Sequence, residues 1–566
     1  MPRVASEDRK RAFQPKTRTG CITCKSVPHI LEIPLLTVCR KRRVKCGEER
    51  PACRRCTSTG RVCDGYNELT STTPIQAIER LSPFTETVIT QPCSIPSFDL
   101  FSCDQERQSF QFFLLKTAPQ LAGDFECAFW ERLLLQSAHH EPAIRHVIVA
   151  LGSLHEHFEY DTGPPFASSA LAIRNPFALR QYMRAMRCLM PSLDSSQPID
   201  VCLISCLLFV CFEAMRGHYG SAIAHITSGL KILGELRTNT SRSFTGLSSW
   251  RTPYVPMNIL CGLFTRLQAQ TAVTNHKVSA TRLNLWPEVA IDLNQPVVFH
   301  SLADAREMLE IYAYYYRQRS AELEDLNIEA ESLPESSAAE FDNEITPATV
   351  SLRDNSLSLL TRWSTALDEF LLERGNFLTD RERRGAAVLQ LRHIDCFIML
   401  DVSQPTGGLE AGDHVKWDKY CPFFEQMVSL GESIVPCYAS SSTSSLPSPL
   451  SPKTFSLDLN IIAAMFNVAA RCRDPHIRRR AVRVLRTAAI QEGIWNSSLV
   501  ATIAEKWIDI EEEGLIAVAS YTDVPASARL SHFLPVFDVD QPSAIVYFSH
   551  SATMDSATVR RKLLQW

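Results

Sequence analysis

Glycine is scarce in this 566-residue sequence: its 21 residues are about half of the average usage of ~7%. The shortage disfavours all-β folds, which need many tight turns, and favours helices. Long apolar runs are missing as well. The longest, residues 201–212 between Asp200 and Glu213, is shorter than the ~20 residues that span a bilayer. We interpret that run as a buried core helix.

Signals for secretion and for catalysis are also missing. The first twenty residues are basic and polar, without the apolar stretch of a secretory signal, so we expect reduced thiols in the cytosol or nucleus. The sequence contains no Gly-x-Ser-x-Gly, Walker A or Gly-x-Gly-x-x-Gly motif. The pairs His139-His140 and His155/His157 do not have the spacing of a metalloprotease helix, and we interpret them as helix-end or surface histidines. We therefore predict that the protein is not an enzyme.

Charge is divided unevenly along the chain. Residues 1–66 contain 16 Lys and Arg against 6 Asp and Glu, whereas the remaining residues contain 42 against 56. A basic segment followed by an acidic body indicates that the first segment binds a polyanion and that the body does not.

Cysteine is concentrated in the same basic segment, where seven of the 19 residues lie between Cys21 and Cys63. Two Cys-x2-Cys pairs, Cys21/Cys24 and Cys53/Cys56, each place two thiolates at the right distance to share one tetrahedral metal ion. Further cysteines follow at regular spacing at Cys46 and Cys63. Cysteine pairs of this kind, embedded in basic residues, indicate zinc.

These residues resemble the fungal Zn2Cys6 binuclear-cluster DNA-binding domain. The matching segments are Gly20-Cys21-Ile22-Thr23-Cys24, Arg40-Lys41-Arg42-Arg43-Val44-Lys45-Cys46, Pro51-Ala52-Cys53-Arg54-Arg55-Cys56 and Gly60-Arg61-Val62-Cys63. The resemblance implies that six cysteines hold two zinc ions, with Cys21 and Cys53 bridging both. The implied ligands are Cys21, Cys24, Cys46, Cys53, Cys56 and Cys63. Since few apolar side chains are present here, metal ligation must supply the folding free energy.

One departure from the family pattern lies between the second and third of these cysteines. Here 21 residues separate Cys24 from Cys46, and removing residues 25–39 restores the shorter family spacing. The extra stretch is apolar, unlike its basic surroundings, and we hypothesise that it is a translated intron that the working protein lacks. If the stretch is genuine, Cys39 competes with Cys24 for the metal, because Cys39 has the family spacing to Cys46.

The basic residues within this cysteine frame point to DNA. Arg and Lys donate to guanine O6 and N7 in the major groove, and the resemblance implies that Arg42 and Arg43 contact a CGG-type half-site. Residues on the second half are candidates for phosphate contacts that fix the register. The complete predicted set is Arg40, Lys41, Arg42, Arg43, Lys45, Arg54, Arg55 and Arg61. A solvated basic loop or a nuclear-import signal is the simpler alternative.

The rest of the chain reads as a helical body. Apolar residues recur at helical spacing in residues 144–151 and 223–233, and residues 544–548 form a weak strand signal. Residues 106–159 and 474–497 resemble parts of the fungal-specific transcription factor regulatory domain, which implies an all-helical scaffold for regulation. Cys202, Cys206 and Cys211 lie on an apolar run, and we interpret them as core thiols.

Two charged segments of the body have competing interpretations. Nine acidic residues lie between Glu322 and Glu344, with no Lys or Arg between Arg319 and Arg353. Mixed acidic and apolar residues resemble activation segments, but we favour a helix end that leads into a solvated loop. We interpret the run Arg478-Arg479-Arg480, with Arg483 and Arg486, as an exposed helix face.

These observations predict a mainly α protein with a small zinc-stabilised domain before a large helical regulatory domain. The predicted parts are a basic arm (1–20), a Zn2Cys6 domain (21–66), a linker (67–104) and the regulatory domain (105–566), with disordered loops near 331–347 and 440–452. We expect a nuclear transcription factor that binds double-stranded DNA and co-regulators, with a homodimer as an option and no membrane contact. The alternative is a helical interaction protein whose DNA-binding head is disrupted by residues 25–39.

Overall fold

The computed structural model describes most of the chain after residue 99. The described residues are 100–125, 127–160, 175–190, 198–240, 252–271, 291, 295–331, 335–402, 413–435, 453–458, 460–538, 541, 543–550 and 559–565.

Helices make up most of the described residues, which confirms the prediction of a mainly α fold. The first eight are α1 (Asp104–Phe112), α2 (Ala118–Ala122), α3 (Leu134–His140), α4 (Pro142–Tyr160), α5 (Pro176–Leu189), α6 (Ile199–Met215), α7 (Tyr219–Thr240) and α8 (Met257–Thr271). They are followed by α9 (Leu302–Glu331), α10 (Glu335–Arg374), α11 (Asp380–Val402), α12 (Cys421–Ile434), α13 (Ile462–Arg471), α14 (Pro475–Ala488) and α15 (Ser497–Glu511).

Side-chain caps fix the start of several helices. Asn175 accepts a hydrogen bond from the Ala178 amide at the start of α5, and Asp474 accepts from the amides of His476 and Ile477 at the start of α14. In both helices a proline follows the cap. Its fixed φ suits the first turn, and its lack of an N–H costs no hydrogen bond because the first N–H groups of a helix have no acceptor within the helix. These local signals set where the chain turns into each helix.

The core of the body is built on α6, which the sequence predicts as a buried helix. From residue 207 to residue 215 every side chain of α6 is buried. Tryptophan fills three other parts of the same apolar core, at Trp130, Trp363 and Trp507. A helix that is apolar on all sides is stable only when neighbours cover it, and α4 and α7 both pack against α6.

Two small sheets accompany the helices. The first has the order β1 (Thr454–Ser456), β2 (Ile490–Glu492), β3 (Trp495–Asn496), with β1 and β2 parallel and β2 and β3 antiparallel. The second is antiparallel, with the order β4 (His532–Phe537), β5 (Ser543–Ser549), β6 (Arg560–Gln565). Strand β5 confirms the weak strand signal at residues 544–548.

Gln270 joins helix α8 to the first sheet. Its amide nitrogen donates to the Leu457 carbonyl at 2.7 Å, and its side-chain oxygen accepts from the Ile494 amide at 3.3 Å. Gly493, which has a φ of +54°, lies against this side chain, and a Cβ there would be 2.0 Å from the Gln270 oxygen. Glycine is therefore required at this turn by both backbone conformation and space.

Helices α1 and α4 approach each other closely at Gly152. A Cβ at this position of α4 would lie 2.0 Å from the carbonyl oxygen of Ser109 in α1. Because carbon and oxygen cannot approach this closely without overlap, the two helices can touch here only through a glycine.

Helix α10 corrects one of the predictions. We expected a disordered loop near residues 331–347, but the backbone is helical from Glu335 and continues through Pro347. Acidic residues in the first turns of a helix are stabilised by its dipole, so an acidic composition here supports a helix start rather than disorder. The second predicted loop, near 440–452, lies outside the described residues.

None of the described helices combines the length and the apolar character that crossing a membrane requires.

Candidate functional site

The predicted metal and DNA-binding residues all precede the part of the chain that the structure describes. The six cysteines are soft thiolate donors, which is the chemistry that zinc prefers, so the donor set fits the metal. The predicted residues outside the described ranges are Cys21, Cys24, Cys46, Cys53, Cys56, Cys63, Arg40, Lys41, Arg42, Arg43, Lys45, Arg54, Arg55 and Arg61.

Within the described ranges, no group of three or more His, Cys, Asp or Glu side chains is placed to hold a metal ion. Cys211 is fully buried, and Cys202 and Cys206 on the same helix are partly buried. Burial raises the pKa of Cys206 to about 11, so this thiol stays protonated and unreactive. The prediction of core thiols is confirmed for Cys211 and for Cys206, which packs against the core, whereas Cys202 is partly buried outside it.

His155 corrects the prediction of a surface histidine. It is completely buried in α4, and its ring contacts the hydroxyl of Thr117 at 2.9 Å and the side-chain oxygen of Gln120 at 3.1 Å. Burial lowers the pKa of His155 to about 4, so the ring is neutral at physiological pH. His155 therefore has a structural role in holding α1, α2 and α4 together.

The arginine run in α14 contains a second correction, at Arg478. We predicted an exposed helix face, but Arg478 is completely buried and its Nη2 contacts Glu511 at 2.8 Å. Arg473 approaches the other carboxylate oxygen of Glu511, also at 2.8 Å, and is equally buried. We call these three residues the buried triad. Sequence spacing could not reveal it, because Glu511 lies on α15, 33 residues after Arg478.

Several polar groups around the triad are hydrogen-bond partners, although Arg473 Nε and Arg478 Nη1 have none among the described residues. Glu511 also accepts from the Trp507 indole at 2.9 Å and from the Leu530 amide at 2.8 Å, while Arg478 donates to the Ala469 carbonyl at 3.1 and 3.0 Å. Burial alone would raise the pKa of Glu511, but the two arginines lower it below its usual range. The carboxylate is therefore ionised and joins α13, α14, α15 and the start of β4.

Three other arginines of this run are paired with acidic residues. Arg479 contacts Glu512 at 2.5 Å, Arg480 contacts Glu432 at 2.7 Å, and Arg486 contacts Glu505 at 2.5 Å. Since these three guanidinium groups already have carboxylate partners, they are poor sites for DNA phosphates, whereas Arg483 of the same run is exposed and has no ion pair among the described residues.

A second group of arginines surrounds a cavity of about 70 Å³ between α8, α9 and α11. Arg266 contacts Glu310 at 3.1 Å and Asp458 at 3.0 Å. Arg306 contacts Asp458 at 2.9 Å, and Arg392 contacts Glu310 at 3.4 Å. We call this space the arginine cavity; its lining residues are Gly262, Thr265, Arg266, Ala269, Glu310, Ala313, Arg317, Arg392 and Asp458.

The carboxylates of the cavity are held in their charged form. Burial alone would raise the pKa of Glu310, but Arg266, Arg392 and Arg306 lower it to about 2. The pKa of Arg266 shifts in the opposite direction. Burial alone would lower it, but the carboxylates of Asp458 and Glu310 raise it above its usual range. These groups are therefore all charged at neutral pH.

Arg317 differs from the other arginines of the cavity. Its side chain is accessible to solvent, and within the described part of the chain it takes part in no hydrogen bond or ion pair. The protein atoms packed around the Arg317 guanidinium partly remove it from water, which lowers its pKa, and the like charge of the nearby Arg392 lowers the pKa further. Sequence reasoning missed this group, because its members are scattered over almost two hundred residues and only the Arg306–Glu310 pair has a recognisable helical spacing.

Comparison with protein families identifies the cysteine-rich segment. Residues 37–73 match the family described as "Fungal Zn(2)-Cys(6) binuclear cluster domain". The matched stretch contains Cys46, Cys53, Cys56 and Cys63 together with Cys39, and it begins after Cys21 and Cys24.

Curated relatives extend the likeness to the body. The chain is 26% identical to the aspercryptin biosynthesis cluster-specific transcription regulator atnN of Emericella nidulans, over 92% of each chain. It is 30% identical to the transcription regulator lscL of Purpureocillium lilacinum, over 37% of this chain and 50% of that protein. Over 15% of this chain and 13% of the relative, it is 34% identical to the transcriptional regulatory protein moc3 of Schizosaccharomyces pombe.

No solved structure matches this chain significantly. The family match covers the zinc-binding segment, and the likeness to atnN covers the helical body as well. Both point to regulation of transcription rather than to catalysis. Residues 37–73 therefore match a fungal Zn2Cys6 DNA-binding domain, and together with the likeness to named transcription regulators this match supports a DNA-binding transcription factor.

Proposed function

We propose that this transcription factor works in the nucleus, where it regulates RNA polymerase II transcription by binding a GC-rich, CGG-like half-site. The observation that carries the proposal is the basic run of residues 40–45, which lies inside the stretch that matches the binuclear-cluster family. A guanidinium donates two hydrogen bonds to O6 and N7 of guanine, a pattern that only a G·C pair offers. We assign this contact to Arg42 and Arg43.

The remaining basic residues of the segment serve affinity rather than base choice. Phosphate contacts fix the position of a protein on the duplex and make its binding salt-dependent. We assign this role to Arg54, Arg55 and Arg61, with Arg40, Lys41 and Lys45 contributing positive charge beside the base contacts.

Two zinc ions per chain form the metal part of the proposal. Cys21, Cys24, Cys46, Cys53, Cys56 and Cys63 are the ligands that we assign to them. Cys39 is the alternative to Cys24, because it lies within the matched stretch and has the same spacing to Cys46 as Cys46 has to Cys53. Cys24 is preferred because it alone forms a Cys-x2-Cys pair with Cys21.

A second candidate function is favoured by one observation. The family match begins after Cys21 and Cys24, and residues 25–39 separate these two cysteines from the other four. A chain that retains this stretch would be a helical regulatory protein with a disrupted DNA-binding head. Sequencing the transcript tests the idea that residues 25–39 are an intron, because a message that retains their codons contradicts it.

The name of the relative that matches 92% of this chain supports a proposal for the target genes. Since atnN is named as a biosynthesis cluster-specific regulator, we infer that this chain also controls a set of clustered biosynthetic genes. The helical body would contact co-regulators, and a homodimer would allow two half-sites to be bound at once. Mapping bound sites across the genome tests this inference: sites spread evenly over unrelated genes would contradict it.

The decisive experiment compares the full chain with a chain that lacks residues 25–39. Zinc content is measured by mass spectrometry, and affinity for a duplex that contains CGG is measured by fluorescence anisotropy at two salt concentrations. We expect two zinc ions per chain and binding that weakens steeply with salt. If only the shortened chain binds zinc and DNA, the full chain is better described as a helical regulatory protein with a disrupted DNA-binding head. If neither chain binds zinc and DNA, the proposal is overturned.

The variant Arg43→Ala tests the base contact itself. It should lower affinity by about 1–3 kcal/mol and reduce the preference for CGG over a scrambled duplex. The matched control is Arg11→Ala, which removes the same charge outside the matched stretch and should leave the preference for CGG intact. Equal sequence preference in the Arg43 variant and the original chain would contradict the assignment.

A further inference from the structure

The arginine cavity holds more positive than negative charge. Three arginines line it, Arg266, Arg317 and Arg392, with two carboxylates, those of Glu310 and Asp458. A fourth, Arg306, does not line the space but contacts both carboxylates. The exposed Glu307, whose pKa is raised by burial and by the Glu310 charge, lies nearby but does not line the space. Counting Glu307 still leaves an excess of positive charge inside a concave site, where charge acts more strongly than at an open surface.

The arginines of the cavity fall into two groups, those with carboxylate partners and Arg317, which has none among the described residues. Glu310 contacts Arg266, Arg392 and, at 4.0 Å, Arg306, while Asp458 contacts Arg266 and Arg306, so these three arginines are held in place by ion pairs. Arg317 lines the same space, is accessible to solvent and has no carboxylate partner among the described residues. A guanidinium in this position offers its donors to a ligand without first having to break a bond.

The size of the cavity limits the ligand. The cavity has a volume of about 70 Å³. Since one water molecule needs ~10–15 Å³ of such space, the cavity holds roughly five water molecules or one small polyatomic group. Gly262, Ala269 and Ala313 line it, and these residues have little or no side chain to fill the space.

We propose that the arginine cavity is a binding site for a small anion with a phosphate or carboxylate group, and that Arg317 is its main contact. The ligand would contact residues of α8, α9 and α11 at once, so its binding stabilises this arrangement of the three helices. This site is separate from the DNA-binding segment, and it makes the body a candidate sensor of a metabolite.

The test uses the purified full chain with sodium phosphate and sodium acetate as probes. Binding is measured by calorimetry and by the rise in melting temperature, with sodium chloride at equal ionic strength as the reference. We expect one of the two probes to bind above the chloride reference, and the one that binds identifies the chemistry. Failure of both probes to exceed chloride would overturn the proposal, and neither result depends on DNA binding.

Two variants and a control locate the binding. Arg317→Met removes the donor and should weaken the binding of the active probe at least tenfold. Ala313→Leu keeps every charge but fills the space, and it should also abolish binding. Arg319→Met is the matched control, because Arg319 lies on the same helix, is paired with Glu322 at 2.8 Å and does not line the cavity. Wild-type affinity in Arg317→Met would contradict the site.

Discussion

The buried triad and the arginine cavity use the same kinds of side chain and reach different results. In the triad, two arginines enclose one carboxylate, and none of the three side chains has any exposed surface. In the cavity, two carboxylates contact Arg266, Arg306 and Arg392 beside a space that stays open, and Arg317, which lines that space, has no acidic partner among the described residues. Arginines grouped around carboxylates therefore give a closed structural joint in one place and a cluster beside an open space in the other.

The difference lies in where the excess positive charge goes. In the triad it is distributed over backbone carbonyls, since Arg473 donates to Arg471 and Leu530 and Arg478 donates to Ala469. In the cavity the excess stays on a guanidinium that faces solvent. The triad still has unpaired buried donors at Arg473 Nε and Arg478 Nη1, so the feature that distinguishes the two clusters is the space beside Arg317, which the completely buried triad lacks.

The largest effect should come from breaking the triad with Glu511→Gln. This change leaves two completely buried guanidinium groups without their counter-charge, and breaking a buried ion pair costs about 3–5 kcal/mol. Urea unfolding of the body, followed by circular dichroism, measures the loss. Glu505→Gln on the same helix is the control, because its partner Arg486 lies at the surface and such pairs contribute ~0–1 kcal/mol. Equal losses of unfolding free energy in the two variants would show that the buried triad contributes no more than the surface pair of Arg486 and Glu505.

The next largest effect should be a dependence of the unfolding free energy on pH, caused by Glu310 in the arginine cavity. The pKa of Glu310 is lowered from 4.5 to about 2, so its contribution to stability is complete above pH ~4.5 and is lost as the pH falls toward 2. The amount is about 3 kcal/mol for a shift of this size. Unfolding free energies of the original chain and of Glu310→Gln should therefore converge by this amount between pH 5 and pH 2. A difference that stays constant with pH would show that Glu310 is not held by the arginines.

The smallest effect is expected for Arg317→Met in buffer without phosphate or acetate. Because Arg317 has no partner in the described part of the chain and lies near the like charge of Arg392, its removal should change the free energy of unfolding by no more than about 0.5 kcal/mol. Urea unfolding measures this value directly. A loss above about 1 kcal/mol would mean that Arg317 is a structural residue like those of the triad.

The sequence predicts elements that depend on local pattern. The apolar run at residues 201–212 lies in α6, and the periodic residues 144–151 lie in α4, because the burial of a helix face leaves a repeating apolar signal. Strand β5 was visible for a similar reason. The cysteine spacing predicts the DNA-binding class, which the family match confirms, because metal geometry constrains neighbours in sequence.

Features that depend on distant contacts could not be predicted in this way. Arg478 carries the same charge as Arg479 and Arg480, and only the fold shows that it points toward Glu511 while they point to the surface. Arg317 looks like any other helical arginine until α8 and α11 are placed beside it. The ligand assignment among the cysteines stays a prediction, because those residues lie outside the described ranges.

The contact at Gly152 gives a means of judging other members of this group from sequence alone. Only a hydrogen atom fits between α4 and the Ser109 carbonyl, so a relative with alanine or a larger residue at the equivalent position must hold the two helices further apart. The aromatic side chains around this crossing, including Phe113, would then need larger replacements to fill the gap. The identity of one residue thus indicates whether the opening helices of a relative are spaced as they are here.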